Sequence, residues 1–179
     1  ESAPKRDGEY APLGGNPGDE IIPPLRAPGA PVIMTAADGV SENYRHPISY
    51  FKTAFGLVIL REQILGKDRF DYAFRNYIRA WAYKHPKPDD FFRSMENAAG
   101  ENLSWFWRGW FYQNLAFDVA VLDAKYNGND YTKGVEIRIL NKERMAFPCT
   151  LELKFKTGSS RRITIPIEAW FHGKEIRLH

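Results

Sequence analysis

The spacing of apolar residues changes once along this chain, from a helical period to a strand period, at about Phe117. Between about residues 48 and 116 apolar residues recur every three or four positions, as they do on one face of an α-helix. After Phe117 they alternate with polar residues, as in strands that have one buried face. The alternating runs cover residues 119–122, 135–139, 151–155 and 163–167. We therefore predict an α+β protein in which a helical part is followed by an antiparallel β-sheet or sandwich.

Residues 48–116 are predicted to form a small helical bundle that is α-superhelix-like. The first helix is expected over about 48–65, and Gly66 provides a stop. Its apolar residues leave little polar face, which is typical of a buried helix. Three further helices are expected, one capped by Asp68, one that starts at Pro88 and is closed by Gly100, and one capped by Asn102.

The first 47 residues contain 8 of the 12 prolines and 6 of the 14 glycines, and their apolar residues show no period. Proline fixes φ and lacks an amide donor, so this stretch is predicted to be extended and loop-like. We expect it to lie against another surface, because structureless runs of this length are unusual inside a compact domain. The predicted domains are thus 1–47, 48–116 and 117–179, with a further strand of the β-domain expected after residue 179.

Composition excludes several classes of protein and site. A net charge of +3 is too small to indicate nucleic-acid binding, and no apolar run approaches the length of a membrane span. Cys149 is the only cysteine, so an internal disulfide is excluded and the compartment stays open. The four histidines do not form an H-E-x-x-H zinc motif, and His46 and His85 are expected in loops because each precedes a proline.

Several short motifs of the helical part occur in a fixed order between about residues 44 and 118. They are Y-F-K-T-A-F at 50–55, L-R at 60–61, I-L-G at 64–66, D-F with a later glutamate at 90–96, and G-E-N-L-S-W-F-W-R-G-W at 100–110. Their order and spacing resemble the aminopeptidase N family of zinc metallopeptidases, the gluzincins. In that family a Y-x-K-[GTA] element opens a buried helix that ends in L-G. Many members carry a small β-sandwich after the helices.

The resemblance implies a hydrolase that cleaves peptide bonds with zinc-activated water and a glutamate base. The family's catalytic tyrosine falls on Tyr50, whose hydroxyl would stabilise the tetrahedral oxyanion. A phenol suits this role because it stays protonated at neutral pH, its reference pKa being about 10. From the residues alone, Tyr50 would instead be interpreted as an amphipathic residue at a helix start.

The family's zinc ligands and its exopeptidase loop, G-x-M-E-N, lie upstream of the tyrosine, and neither motif occurs in this sequence. The resemblance therefore implies a C-terminal portion of the enzyme that supplies Tyr50 and a wall of the active-site cleft. Such a portion is expected to bind no zinc and to be inactive alone. Its partners would be the upstream catalytic domain of the same polypeptide and, in the parent enzyme, a peptide substrate.

Two alternatives bear on that interpretation. Met95-Glu96-Asn97 is similar to the exopeptidase loop, but its helical period between Phe92 and Gly100 indicates an ordinary helix surface. The second alternative is a non-catalytic scaffold or protein-binding module with an aminopeptidase-like fold. The helices alone do not separate it from the enzyme, because a fold does not determine a function.

Overall fold

The structure is a computed structural model that describes Ile22 and residues 27–179. The chain separates into two compact units, one that ends at Asn114 and one that comprises Leu115–His179. Residues 27–41 consist of turns and irregular backbone around the short 3-10 helix Ala37–Gly39. The predicted extended conformation of residues 1–21 and 23–26 lies outside the described residues.

The first helix begins earlier than predicted and is composed of four consecutive segments. These are the α-helical Glu42–Tyr44, the π-helical Arg45–Lys52, the α-helical Thr53–Ile59 and the π-helical Leu60–Ile64. Residues 42–47 are therefore helical, although their sequence indicated an extended backbone. Pro47 disfavours an α-helix at this point because proline lacks an amide donor and crowds the preceding turn. Pro47 nevertheless lies inside the π segment Arg45–Lys52, in which hydrogen bonds join residues five apart.

Three shorter helical stretches complete the first unit, at Lys67–Trp81, at Pro88–Ala99, and at Ser104–Trp107 continued by the π segment Arg108–Tyr112. Glycine ends two of the four helices as predicted, since Gly66 follows the first helix and Gly100 has a φ of 66° at the C-cap of the third. Asp68 lies in the first turn of its helix, where Gly66 occupies the cap position. The core of this unit is rich in aromatic rings, with Phe92 stacked on Trp107 at a centroid distance of 4.6 Å.

The second unit contains five strands, β1 Val119–Tyr126, β2 Val135–Asn141, β3 Cys149–Lys154, β4 Ser160–Ile165 and β5 Glu175–Leu178. All described pairs are antiparallel and form two sheets, one with the order β1-β2-β5 and one with β3-β4. The register between β1 and β2 shifts between Val121 and Asp123. β4 ends directly before Pro166, which has no amide hydrogen to donate to a neighbouring strand.

The two sheets share an apolar interior. A cleft of about 420 Å³ is lined by residues of both sheets, among them Val119, Ile139, Leu151 and Ile165. Trp170, from the 3-10 helix Ile167–His172, is buried in this unit and donates its indole hydrogen to the carbonyl of Phe147 at 2.9 Å. Helices followed by antiparallel sheets confirm the predicted α+β class.

No helix among the described residues has the length and apolar character needed to cross a membrane.

Candidate functional site

Tyr50, the residue singled out by the motif comparison, lies on the outer face of the first π segment. Its side chain is 62% exposed. The imidazole of His46, one turn earlier, stacks on its ring with centroids 5.6 Å apart and an angle of 29° between the planes. His46 is thus a helical residue beside Tyr50, whereas the proline after it had suggested a loop. The phenol of Tyr50 is open to any group that approaches this face of the helix.

Lys52, two residues later, points in the opposite direction and is 2% exposed. Its Nζ donates a hydrogen bond of 2.7 Å to Oδ1 of Asn114. The amine also lies 5.6 Å from the ring centroid of Trp110, within the range of a cation–π interaction. No carboxylate of the described residues forms an ion pair with it, and burial lowers the pKa of the Lys52 amine to about 8. Lys52 is therefore a buried amine held by an amide and an indole.

Trp110 lies against the same turn and contacts its backbone. Its indole Nε1 donates a hydrogen bond of 3.0 Å to the main-chain carbonyl of Lys52. The close approach depends on Gly56, because a Cβ built there would lie 2.3 Å from Nε1. The side chain and the carbonyl of Lys52 are thus both bonded to residues near the end of the helical unit.

Asn114 joins this turn to a third stretch of chain. Its Nδ2 donates hydrogen bonds of 2.8 and 3.2 Å to the carbonyls of Ala30 and Pro31. Nearby, the amide of Met34 donates to the carbonyl of Phe111 at 3.3 Å. Segment 27–36 is therefore hydrogen-bonded to residues at the end of the helical unit, among them Asn114, the partner of Lys52.

The later motif residues have local structural roles. Oε1 of Glu96 accepts a hydrogen bond of 2.8 Å from the amide of Leu103, so it links the third helix to the start of the next. Asn102 accepts hydrogen bonds from the amide and hydroxyl of Ser104, at 2.9 and 2.6 Å, but the cap position of that helix is Leu103, one residue later than predicted. These contacts agree with the interpretation of residues 95–97 as part of a helix.

Arg61, from the second π segment, pairs with Asp71 of the following helix. The two hydrogen bonds measure 2.7 Å from Nε to Oδ1 and 2.9 Å from Nη2 to Oδ2. The hydrogen bond from Arg61 is the main reason that the pKa of Asp71 lies below its ordinary value. This bidentate pair holds the far end of the first helix.

A zinc ion needs three or more nitrogen, sulfur or carboxylate ligands that converge on one point. Within Ile22 and residues 27–179, no group of three His, Cys, Asp or Glu side chains is arranged to hold a metal ion. The residues described here do not fit a zinc centre, so ligands for zinc would have to come from other residues of the polypeptide.

The sequence assigned a role to Tyr50 but none to Lys52, although a signal was present. Four positions at intervals of four residues are all buried in the structure, namely 48, 52, 56 and 60. The other residues at these positions are apolar or glycine. A lysine among them is unusual, because lysine is rarely fully buried. The predicted stripe contained Phe51 and Phe55 instead, and these are half-buried.

Comparisons with known proteins give a family match for the helical unit and a structural match for the fold. Residues 29–110 match the Peptidase family M1 domain. The crystal structure of Legionella pneumophila aminopeptidase A in complex with aspartic acid matches with a TM-score of 0.51 and 16% sequence identity, over 75% of this chain. The present chain spans 15% of the length of that chain, and at this identity the match concerns the fold. A comparison with curated protein sequences gave no significant match. Residues 29–110 are therefore similar to the peptidase family M1 domain, which confirms the resemblance found in their motifs.

Proposed function

We propose that this chain is the C-terminal portion of a zinc-dependent aminopeptidase and that Tyr50 donates a hydrogen bond to the oxyanion formed during peptide hydrolysis. The match of residues 29–110 to the Peptidase family M1 domain supports a peptidase. The observation that carries the role of Tyr50 is its exposed phenol on a helical turn whose opposite face is buried and hydrogen-bonded.

The chemistry proposed for Tyr50 follows from its hydroxyl. When a tetrahedral intermediate forms, negative charge develops on the former carbonyl oxygen. A neutral phenol can donate a hydrogen bond to that oxygen without giving up its proton. Tyr50 is 62% exposed, and its one ring contact given among the described residues, with His46, leaves the hydroxyl accessible to a substrate.

Zinc, when bound in the parent enzyme, would activate the attacking water. We propose that its ligands belong to the upstream catalytic domain, since the described residues do not fit a zinc centre. The chain alone is accordingly expected to hydrolyse no peptide and to bind no catalytic zinc. Stoichiometric zinc together with peptidase activity in the isolated chain would contradict this division.

The test of Tyr50 uses the full-length protein and a panel of aminoacyl-anilides. Tyr50→Phe should lower kcat by about 10² to 10³ because one oxyanion donor is lost, while the zinc content stays unchanged. Tyr72→Phe is the matched control, since Tyr72 is a comparably exposed tyrosine on the second helix.

Each outcome of this experiment has a distinct meaning. Equal rates for wild type and Tyr50→Phe would remove Tyr50 from the site but leave the enzyme class intact. If the wild type cleaves no substrate of the panel, the non-catalytic scaffold or binding module becomes the better description.

A further inference from the structure

Two hydrogen bonds of Lys52, one from its amine and one to its carbonyl, connect it to the same stretch of chain. Its amine donates to Asn114 and its carbonyl accepts from the indole of Trp110. Asn114 in turn donates to the carbonyls of Ala30 and Pro31. One buried residue thus connects the turn of Tyr50 to two distant segments.

Stability alone does not explain a lysine at this position. A buried amine loses its hydration, and no carboxylate of the described residues compensates for its charge. A methionine or leucine would fill a similar space without that cost, as replacements of buried charged residues by apolar ones often show. Unlike these residues, a lysine can donate a hydrogen bond to a defined acceptor, and this bond fixes the direction of its side chain.

The orientation of the Lys52 side chain is geometrically linked to the orientation of Tyr50. Residues two apart on a helical turn project to nearly opposite sides, since each step rotates the chain by about 100° in an α-helix. The observed exposures agree, with Tyr50 outward and Lys52 inward. Any rotation of this turn about its axis would therefore break the hydrogen bonds of Lys52 and redirect the phenol of Tyr50.

We infer that Lys52 is a positioning residue for Tyr50: its hydrogen bond to Asn114, together with the indole bond to its carbonyl, fixes the direction in which the Tyr50 hydroxyl points. This inference rests on the proposed function of Tyr50. Lys52 itself does not touch the substrate, because it is buried on the inner face of the turn.

The experiment measures kcat and KM of the full-length protein on an aminoacyl-anilide. Lys52→Met removes the amine and keeps the length of the side chain. We expect kcat to fall about ten- to a hundredfold, because a misplacement of about 1 Å has effects of that order, while KM changes less than about twofold. Lys84→Met is the matched control, since Lys84 also lies near an indole, 6.0 Å from the centroid of Trp81, but is exposed.

A double-mutant cycle separates positioning from a general structural effect. If Lys52 acts through the phenol, Lys52→Met should cost little additional rate when Tyr50→Phe is already present. An equal loss in both backgrounds would show that Lys52 does not act through Tyr50, and would overturn the inference while the role of Tyr50 stands. If Tyr50→Phe has no effect by itself, the proposed function fails instead.

A second variant guards against loss of folding in Lys52→Met. Asn114→Ala removes the acceptor and leaves the lysine in place. It should also lower kcat more than it raises KM, and it should show the same non-additivity with Tyr50→Phe. Wild-type kcat in either soluble variant would contradict the inference.

Discussion

Gly56 lies directly against the indole ring of Trp110, and the absence of a side chain at position 56 allows the indole to reach the carbonyl of Lys52. A Cβ at this position would lie 2.3 Å from Nε1 and 2.6 Å from Cδ1 of Trp110. Both distances are far below van der Waals contact. The glycine in the middle of the first helix therefore serves packing between two helical segments, at some cost in helix propensity.

We expect Gly56→Ala to destabilise the chain by about 1–3 kcal/mol, because the indole must move and its hydrogen bond to Lys52 is lost. In an unconstrained helix the same replacement would be stabilising. Urea unfolding measures the difference. In a double-mutant cycle with Trp110→Leu, the cost of Gly56→Ala should largely disappear. A stabilising effect of Gly56→Ala in the wild-type background would contradict the observed packing.

The buried amine of Lys52 predicts a stability that rises with pH. Its pKa is lowered from 10.5 to about 8, so between these values the unfolded chain binds more protons than the folded one. The charged amine thus destabilises the fold by roughly 3 kcal/mol below pH 8, and this cost is removed as the pH approaches the unfolded pKa. The free energy of unfolding of wild type minus that of Lys52→Met should increase by about this amount between pH 7 and 10.5.

Lys84→Met provides the comparison for this measurement, because Lys84 is exposed. Its difference from wild type should stay nearly constant over the same pH range. If the difference in the free energy of unfolding between wild type and Lys52→Met is also constant over this pH range, the amine of Lys52 is not desolvated.

The pair of Arg61 and Asp71 predicts a dependence on pH at the acidic end. The native pKa of Asp71 lies below 3.8, so its contribution to stability is complete above that value and is lost as the pH falls through the native pKa. Asp71→Asn should lower the thermal midpoint at pH 7, and the difference from wild type should shrink in acid. Both side chains are about a third exposed, so 1 M NaCl should also reduce the difference. A difference that is the same in acid and in salt would show that the pair does not contribute through its charges.

In the β unit, Asn141 is 4% exposed and satisfies two backbone groups. Its Nδ2 donates to the carbonyl of Met145 at 3.0 Å, and its Oδ1 accepts from the amide of Glu143 at 3.2 Å. Asn141→Leu should cost about 1–3 kcal/mol in urea unfolding, because the buried carbonyl of Met145 loses its donor and the part-buried amide of Glu143 loses its acceptor. Asn127→Ala is the control, since the bond from Asn127 to the carbonyl of Lys133 is exposed and should contribute less. Equal costs for both variants would contradict the importance of burial.

The sequence predicted the elements where one periodic signal dominated. The alternation around Ile137 and Ile139 indicated a strand with one buried face, and both residues are buried in β2. Gly100 and Asn102 indicated a helix end and a new helix start; one helix ends at Gly100 and the next begins at Ser104, two residues after Asn102. In these cases local backbone preference and burial favour the same structure.

The prediction was incomplete where tertiary contacts override local preference. Pro47 disfavours an α-helix, yet a π turn includes it and brings His46 beside Tyr50. Lys52 is a residue type that normally stays in water, and its burial depends on Asn114, more than sixty residues away. No local pattern encodes such a partner. Tyr50 itself was found through its motif, and its role in catalysis stays a prediction.

The π segment Arg45–Lys52 also determines how this site would respond to insertions and deletions. A π turn is equivalent to an α-helix into which one residue has been inserted without a break in the helix. Deletion of one residue between His46 and Tyr50 would therefore regularise the helix, and it would rotate everything before the deletion by about 100° relative to Lys52. Tyr50 would keep the same relation to the hydrogen-bonded Lys52, whereas the imidazole of His46 would no longer stack on the Tyr50 ring. Length changes before Tyr50 thus alter the neighbours of the phenol, whereas length changes between Tyr50 and Lys52 alter its direction.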